Sequence, residues 1–150
     1  MSWITLTEDD VITKLSGPET AALKTAALQA AQGDPLPEVI EQVVKEIRGY
    51  VAACPRNTLG DGATIPDELK GVAISRIRFE LATRLPVSSL LTEDRRTANA
   101  NAIALLKDVA RCAFLLVQPL TPAEDQAGGP GVTVVSKTCR KFSRDDMRGL

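Results

Sequence analysis

The chain has 150 residues, of which 44% are apolar and 25% charged, and its formal net charge at pH 7 is −1. This is the composition of a soluble globular protein with one core, and no apolar run approaches the roughly 18 residues that a membrane helix needs. The composition therefore excludes a chain that is disordered throughout and a chain that spans a membrane.

Two helices are predicted near the start of the chain. Thr7 precedes three acidic residues, of which Asp10 has the spacing of a weak capping-box partner, and a short helix should run from there to about Leu15. Ser16 or Gly17 can cap a second helix, which continues through the alanine-rich residues 21–31. The break at residues 33–37 ends it.

An amphipathic helix is predicted from Pro37 onward, because apolar residues recur at steps of three and four. Its buried stripe consists of Ile40, Val43, Val44, Ile47 and Val51. Residues 54–66 are predicted to form a loop, since Pro55 ends the helix and two glycines follow.

Two further helices are predicted after this loop, with a break at Pro86. The first starts at Pro66 and Asp67, and its four-residue ladder, which we place at the centre of the core, consists of Leu69, Ala73, Ile77, Leu81 and Leu85. The second starts after Thr92 and runs to Pro119 or Pro122. Its predicted buried stripe consists of Ile103, Leu106, Ala110, Phe114 and Val117.

These elements predict an all-α fold, a bundle of four to five helices with a flexible extended C-terminal arm. Residues 1–118 would form the helical bundle domain, and residues 119–150 a Pro/Gly linker and a basic C-terminal arm. Residues 132–135 have β character and can pair with a neighbour. We expect residues 128–150 to be mobile in the monomer and to become ordered on assembly.

The residue types needed for catalysis are scarce. The chain contains no histidine, which removes Ser-His and Cys-His nucleophile pairs, imidazole metal ligands and the commonest general base. Its cysteines, Cys54, Cys112 and Cys139, are odd in number and far apart. The first ten residues lack a secretory signal, so we expect synthesis in a reducing cytoplasm and isolated reduced thiols, with Cys112 buried in the last helix. We predict no catalytic residue, no cofactor and no metal, and thus no enzyme.

Charge is distributed unevenly along the chain. Residues 1–136 carry 13 Lys and Arg against 17 Asp and Glu, a balance of −4, whereas residues 137–150 carry five against two, a balance of +3. Such a basic arm suits contact with an acidic protein surface better than general DNA binding. Large apolar side chains outside the core are frequent partner anchors, and Trp3 and Phe142 are the candidates.

Other clusters have simpler interpretations than a binding site. The sequence Gly60-Asp61-Gly62 predicts a surface loop, because no phosphate-binding or calcium-binding motif surrounds it. The acidic groups at residues 8–10 and 93–94 suit the starts of helices. A basic face could form from Arg76, Arg78, Arg84, Arg95 and Arg96. We favour ion pairs of these arginines with Glu80, Glu93 and Asp94.

Several sequence segments resemble one known group of proteins. They are Trp3-Ile-Thr-x-Thr-Glu-Asp-Asp-Val, Ile47-Arg-Gly-Tyr50, Ile65-Pro66 before Leu69, and Arg140-Lys-Phe-Ser-Arg-Asp-Asp-Met-Arg-Gly149. Together they resemble the Mu-like phage and prophage virion proteins grouped with head-tail connector adaptors. The most specific part lies in the C-terminal arm.

The resemblance implies a small helical protein without enzymatic activity. It would be made in the host bacterial cytoplasm and act in the virion at the head-tail junction, as a homo-oligomeric ring between the portal protein and a tail-side connector or stopper protein. DNA would pass through the ring without sequence-specific binding, and no membrane would be involved. The residues expected to bind partners are Phe142, Ser143, Arg144, Asp145, Met147 and Trp3.

A second hypothesis is a small nucleic-acid-binding or DNA-packaging accessory protein that uses the basic arm and the arginines at 76–96. Only 3% of the residues are aromatic, which leaves few stacking platforms for single strands. A steep loss of DNA affinity with rising salt would favour this alternative.

Overall fold

The computed structural model describes residues 3–29, 33–84 and 91–120, and most of these residues are helical. Three long helices pack against one another, and two shorter helices precede them along the chain. In chain order the helices are α1 (Glu8–Ile12), α2 (Gly17–Gln29), α3 (Leu36–Ala53), α4 (Lys70–Arg84) and α5 (Glu93–Ala110). The prediction of a mainly helical fold is confirmed for these residues.

The start of α1 is fixed by a complete capping box. The Thr7 hydroxyl accepts a hydrogen bond from the Asp10 backbone N–H at 3.4 Å, and the Asp10 carboxylate accepts one from the Thr7 backbone N–H at 3.1 Å. This confirms the predicted cap and satisfies two N–H groups that a helix start leaves without partners. The helix ends at Ile12, before the predicted Leu15, which follows in a turn and is buried.

Helices α3 and α4 supply much of the core, as the spacing of their apolar residues predicts. All five residues of the predicted α3 stripe are buried. In the second ladder, Leu69, Ala73, Ile77 and Leu81 are buried, and Leu85 lies outside the described residues. The turn Asp67–Leu69 is a 3-10 helix that leads into α4.

The prediction of an all-α fold is wrong in one respect, because a two-stranded antiparallel sheet closes one side of the core. Strand β1 (Trp3–Thr5) pairs with β2 (Thr64–Pro66), and Ile4 lies opposite the fully buried Ile65. Strand β2 falls within the predicted loop 54–66. Arg48 of α3 holds this segment, because its guanidinium donates hydrogen bonds to the carbonyls of Thr64 at 2.7 Å and Gly60 at 3.0 Å.

The last helix is shorter than predicted. Thr92 occupies the N-cap position as expected, but α5 ends at Ala110, and Phe114 and Val117 lie beyond it and are exposed. The residues that α5 buries are Asn99, Ala102, Leu106 and Val109. Cys112 adopts a positive φ of 60°, which no right-handed helix allows, so the chain turns away from the helix axis there.

The expectation of isolated reduced thiols is also wrong. Cys54, at the C-cap of α3, forms a disulfide with Cys112, 58 residues later, and the two Cα atoms are 5.4 Å apart. Cys112 is therefore a covalent link beyond α5 and not an apolar residue within that helix. Cys139 and the predicted strand at residues 132–135 lie outside the described residues, as do residues 121–150 of the predicted arm.

Candidate functional site

The most unusual surface is the segment that follows the disulfide. We call residues 113–120 the apolar strip. Four of its side chains are exposed: Phe114 (38%), Val117 (41%), Leu115 (75%) and Leu120 (96%). A contiguous exposed apolar segment on a folded body is a common mark of a protein interaction site.

The strip is attached to the body from its start to Gln118. The Cys54–Cys112 disulfide fixes its start, where the backbone N–H groups of Ala113 and Phe114 both donate to the Asp108 carbonyl, at 2.9 and 3.3 Å. Leu116 points inward and joins the hydrophobic core. The strip therefore keeps one apolar side chain inside and presents its neighbours outward.

Hydrogen bonds hold the second half of the strip. The Trp3 indole Nε1 donates to the Val117 carbonyl at 3.0 Å, and the Val117 backbone N–H donates to Glu68 Oε1 at 3.3 Å. The Gln118 Oε1 accepts from both the backbone N–H and the hydroxyl of Thr58, each at 2.7 Å. An exposed apolar segment that is already ordered loses less conformational entropy when a partner binds.

Trp3 supports the strip from beneath. As expected, Trp3 is not part of the buried core cluster, but it is half-buried and packs against that cluster. Its ring lies directly on Gly60, where an added Cβ would come within 2.6 Å of Trp3 Cε3. The predicted surface loop is thus exposed at Asp61 and Gly62 but buried at Gly60. A role for Trp3 in partner binding stays a prediction.

A groove lies next to the C-terminal end of β1, between α3 and the turn that precedes β2. Its volume is about 390 Å³. Aliphatic residues form much of its lining, with an ion pair of Glu41 and Lys45 at 2.6 Å on the rim. The apolar lining consists of Leu6, Pro37, Ile40, Val44 and Ala63. We call it the α3 groove, and the sequence analysis did not identify it.

The arginines of α4 and α5 pair with carboxylates, as we expected. Buried Arg76 contacts Glu46 and Glu80, each at 2.9 Å, and its Nη1 donates to Asn99 Oδ1 at 2.7 Å. The expected Arg76–Glu80 pair is therefore confirmed.

A second carboxylate, Glu19 of α2, is buried between two arginines. It contacts Arg78 of α4 at 3.4 Å and Arg95 of α5 at 2.6 Å, so the two guanidinium groups compensate its burial. Nothing in the sequence pattern indicates Glu19 as the partner of these arginines. The expected exposed pair of Arg96 and Glu93 is present at 3.4 Å.

Two surface ion pairs lower the pKa values of their carboxyl groups. Lys70 and the Thr7 cap lower the pKa of the Asp10 carboxyl from 3.8 to about 2, since they stabilise the carboxylate. The hydrogen bond with Arg84 lowers the pKa of Glu38, and the same contact raises the pKa of Arg84. Burial lowers the pKa of the Arg48 guanidinium.

Comparison with protein families identifies the lineage of this chain. Residues 6–134 match the family described as bacteriophage Mu, Gp36. The chain belongs to the bacteriophage Mu Gp36 family. No match was found among curated proteins or among solved structures. The apolar strip and most of the α3 groove's lining lie within the matched residues.

Most of the residues expected to bind partners lie outside both the described structure and the Gp36 match. Phe142, Ser143, Arg144, Asp145 and Met147 all follow residue 134 and belong to the part of the chain that is not described. The family relationship supports a Mu-like phage protein and rests on residues 6–134, which include none of these five residues.

Two further observations concern the described part of this Gp36-family chain. None of its helices combines the length and the apolar content that crossing a membrane requires. Within residues 3–29, 33–84 and 91–120, no three Cys, Asp or Glu side chains are grouped so that they could hold a metal ion.

Proposed function

We propose that the protein is a structural adaptor of the phage head-tail junction, without enzymatic activity. In this proposal it self-associates into a ring between the portal protein and a tail-side connector or stopper, and DNA passes through the opening. The single observation that carries the proposal is an apolar strip held in an ordered, exposed position on a Mu Gp36-family chain. In this proposal the protein is synthesised in the host cytoplasm and its final location is the virion.

The chemistry of the strip supports self-association more than catalysis. Leu115 and Leu120 expose most of their apolar surface, and burying such side chains contributes roughly 1.5–3 kcal/mol each. A ring requires that one patch of a subunit meets a different patch of the next. The strip supplies one such patch on a helical body that already has a complete core.

The division of the chain into a body of residues 1–118 and an arm of residues 119–150 is part of this proposal. Gln118 is the last residue that hydrogen-bonds the body among those described, and it coincides with the end of the proposed body. We propose that Phe142, Arg144 and Met147 of the arm, with their neighbours, contact the portal or the tail-side protein.

The contacts of the arginines favour an adaptor over a DNA-packaging accessory protein. The arginines of α4 and α5 that would form a basic face lie against Glu19, Glu46, Glu80 and Glu93. These carboxylates neutralise the positive charge that DNA phosphates would need. A DNA-packaging accessory protein would then have to bind DNA mainly through the basic residues of 137–150.

The test is a Leu115→Asp variant in a phage or prophage that carries this chain. We expect a normally folded protein but capsids without tails, since a carboxylate at the strip opposes burial in an interface. Ile12→Asp is the matched control, because Ile12 is an exposed aliphatic residue on α1 that does not belong to the strip. Electron microscopy and mass spectrometry of particles measure the outcome.

Two results would contradict the proposal. One is complete infectious particles from the Leu115→Asp variant at normal protein levels. The other is absence of the wild-type protein from purified particles. Deletion of residues 137–150 tests the arm separately, and we expect it to leave a folded body that no longer joins capsids to tails.

A further inference from the structure

We propose that the apolar strip of one copy docks into the α3 groove of the next copy, so that subunits associate head to tail. This inference rests on the proposed adaptor function and specifies the interface that would build its ring. It pairs two surfaces of the same chain: a ridge formed by residues 113–120 and a groove of about 390 Å³.

The lining of the α3 groove calls for an apolar occupant. Leu6, Ile40 and Val44 are core residues whose remaining exposed surface faces the groove. Pro37 and Ala63 are exposed and form part of its walls. Water in such a groove has few polar partners, so displacement by aliphatic or aromatic side chains is favourable. Leu115 and Phe114 are side chains of this kind.

A chain cannot place its strip in its own groove. The disulfide and the hydrogen bonds from Trp3 and Thr58 hold the strip beside the start of β1, whereas Thr5, at the end of β1, lines the groove. The strip thus contacts the side chain of the first residue of β1, whereas the groove is lined by the last residue of that strand. None of the strip's residues lines the groove. The strip therefore remains available to a second copy.

Charges beside the two surfaces are compatible with this contact. The groove carries the exposed pair Glu41–Lys45, and the strip is preceded by the exposed pair Asp108–Arg111 at 3.9 Å. Arg48 also lines the groove, but its guanidinium donates to the carbonyls of Thr64 and Gly60. Each of the two exposed pairs therefore offers one positive and one negative group that can exchange partners across the contact. Exposed pairs contribute little to folding stability and are free to exchange in this way.

Unlike surfaces predict a specific assembly behaviour. A contact between two strips would be isologous and would stop at a dimer, whereas a strip in a groove leaves one free strip and one free groove at the ends of every oligomer. Association can then continue until a ring closes. This difference makes the inference testable with two variants of the full-length chain.

The strip variant is Leu115→Glu and the groove variant is Ala63→Glu, both at exposed positions. Ala52→Glu is the matched control, because Ala52 is an exposed alanine of α3 that does not line the groove. Analytical ultracentrifugation at up to about 1 mM protein measures self-association, and this range covers weak contacts. We expect wild type and Ala52→Glu to form oligomers, and each of the other variants to associate at least about a hundredfold more weakly.

A mixture of the two variants is the decisive sample. The groove variant keeps an intact strip and the strip variant keeps an intact groove, so the mixture should form one-to-one dimers that grow no further. The inference is overturned if the groove variant associates like wild type, if the strip variant does so, or if the mixture remains monomeric.

The outcome for the adaptor function is read separately, from the particles. A wild-type protein that stays monomeric at about 1 mM overturns the head-to-tail contact in solution. The adaptor proposal fails only if the protein is absent from particles or if Leu115→Asp particles are complete. Presence in particles together with a groove variant that assembles normally would retain the adaptor and reject the groove.

Discussion

Two regions of this molecule differ in what they bury: one buries charged groups, and the other exposes large apolar side chains. Where α4 meets its neighbours α2, α3 and α5, the charged groups of Glu19 and Arg76 are buried and paired inside the protein. At the apolar strip, Leu115 and Leu120 are exposed although they are large and aliphatic. The charged side chains of the first region are paired within the chain, whereas the apolar side chains of the second are exposed.

The difference separates the residues that hold the fold from those to which the proposed function assigns partner binding. Buried ion pairs need both partners, so changes in the first region should appear as losses of folding stability. The strip's outward side chains make few contacts within the chain, so changes there should affect association and leave stability nearly unaltered. Changes at the disulfide, Trp3 or Gly60 should affect both folding stability and association, because these groups pack in the body and also fix the position of the strip.

The largest expected effect follows removal of the disulfide, in the double variant Cys54→Ser/Cys112→Ser. A cross-link across 58 residues stabilises the folded state by about 4 kcal/mol in the loop-entropy description. The free energy of unfolding measured with urea should therefore fall by a similar amount. The emission of Trp3, the single tryptophan, should shift to longer wavelength as the strip loosens.

The control for that experiment is Cys139→Ser, which should unfold like wild type. A thiol assay on the denatured, unreduced protein gives an independent check. All three cysteines reacting before reductant is added would show that the disulfide is absent and would contradict the prediction.

The next effect is expected in the buried network. Arg76→Met leaves Glu46, Glu80 and Asn99 without their shared donor, and breaking such a buried pair should cost about 3 kcal/mol in the free energy of unfolding. Arg96→Met is the control, since its pair with Glu93 is exposed and should contribute less than about 0.5 kcal/mol. Equal losses in the two variants would remove the distinction between buried and surface pairs.

Local spacing predicted the helical part of the fold well. The α3 stripe and the Thr7–Asp10 cap were both identified, because such contacts occur within one or two helical turns. The same spacing failed at Phe114 and Val117, which have the right interval for α5 but follow the turn at Cys112. Periodicity carries no information on where a tertiary link ends a helix.

The candidate site was harder to predict because most of the contacts that attach the strip to the body are long-range. An odd number of cysteines excludes a fully paired set but not one disulfide, and Cys54 and Cys112 are 58 residues apart. Trp3 reaches Val117, and Thr58 reaches Gln118, from distant parts of the sequence. The signal that was available is the apolar composition of residues 113–117, which the sequence analysis assigned to a helix.

A smaller effect is expected where the body supports the strip. Gly60→Ala would place a Cβ 2.6 Å from the Trp3 ring, so the ring must move, and overpacking of this kind costs about 2 kcal/mol. The displaced indole should also weaken its hydrogen bond to Val117 and change its fluorescence. Gly49→Ala is the matched control: nothing lies near its Cβ position in α3, and it should stabilise by up to about 1 kcal/mol. Unchanged tryptophan emission in Gly60→Ala would show that the ring does not rest on this glycine.

The smallest effect concerns the surface pair of Asp10 and Lys70, 2.8 Å apart, which links α1 to the start of α4. The pKa of Asp10 is lowered from 3.8 to about 2, so the folded state favours the carboxylate more than the unfolded state does. Its contribution to stability is complete above pH 3.8 and is lost as the pH falls toward about 2.

Lys70→Met should raise the Asp10 pKa toward its ordinary value, measurable by NMR titration of the carboxyl group. Asp10→Asn should remove this part of the acid dependence, and because the pair is at the surface, high salt should weaken the effect in wild type. An Asp10 pKa that does not change in Lys70→Met would assign the shift to the Thr7 cap alone and would show that α1 is held by its own capping box, without the link to α4.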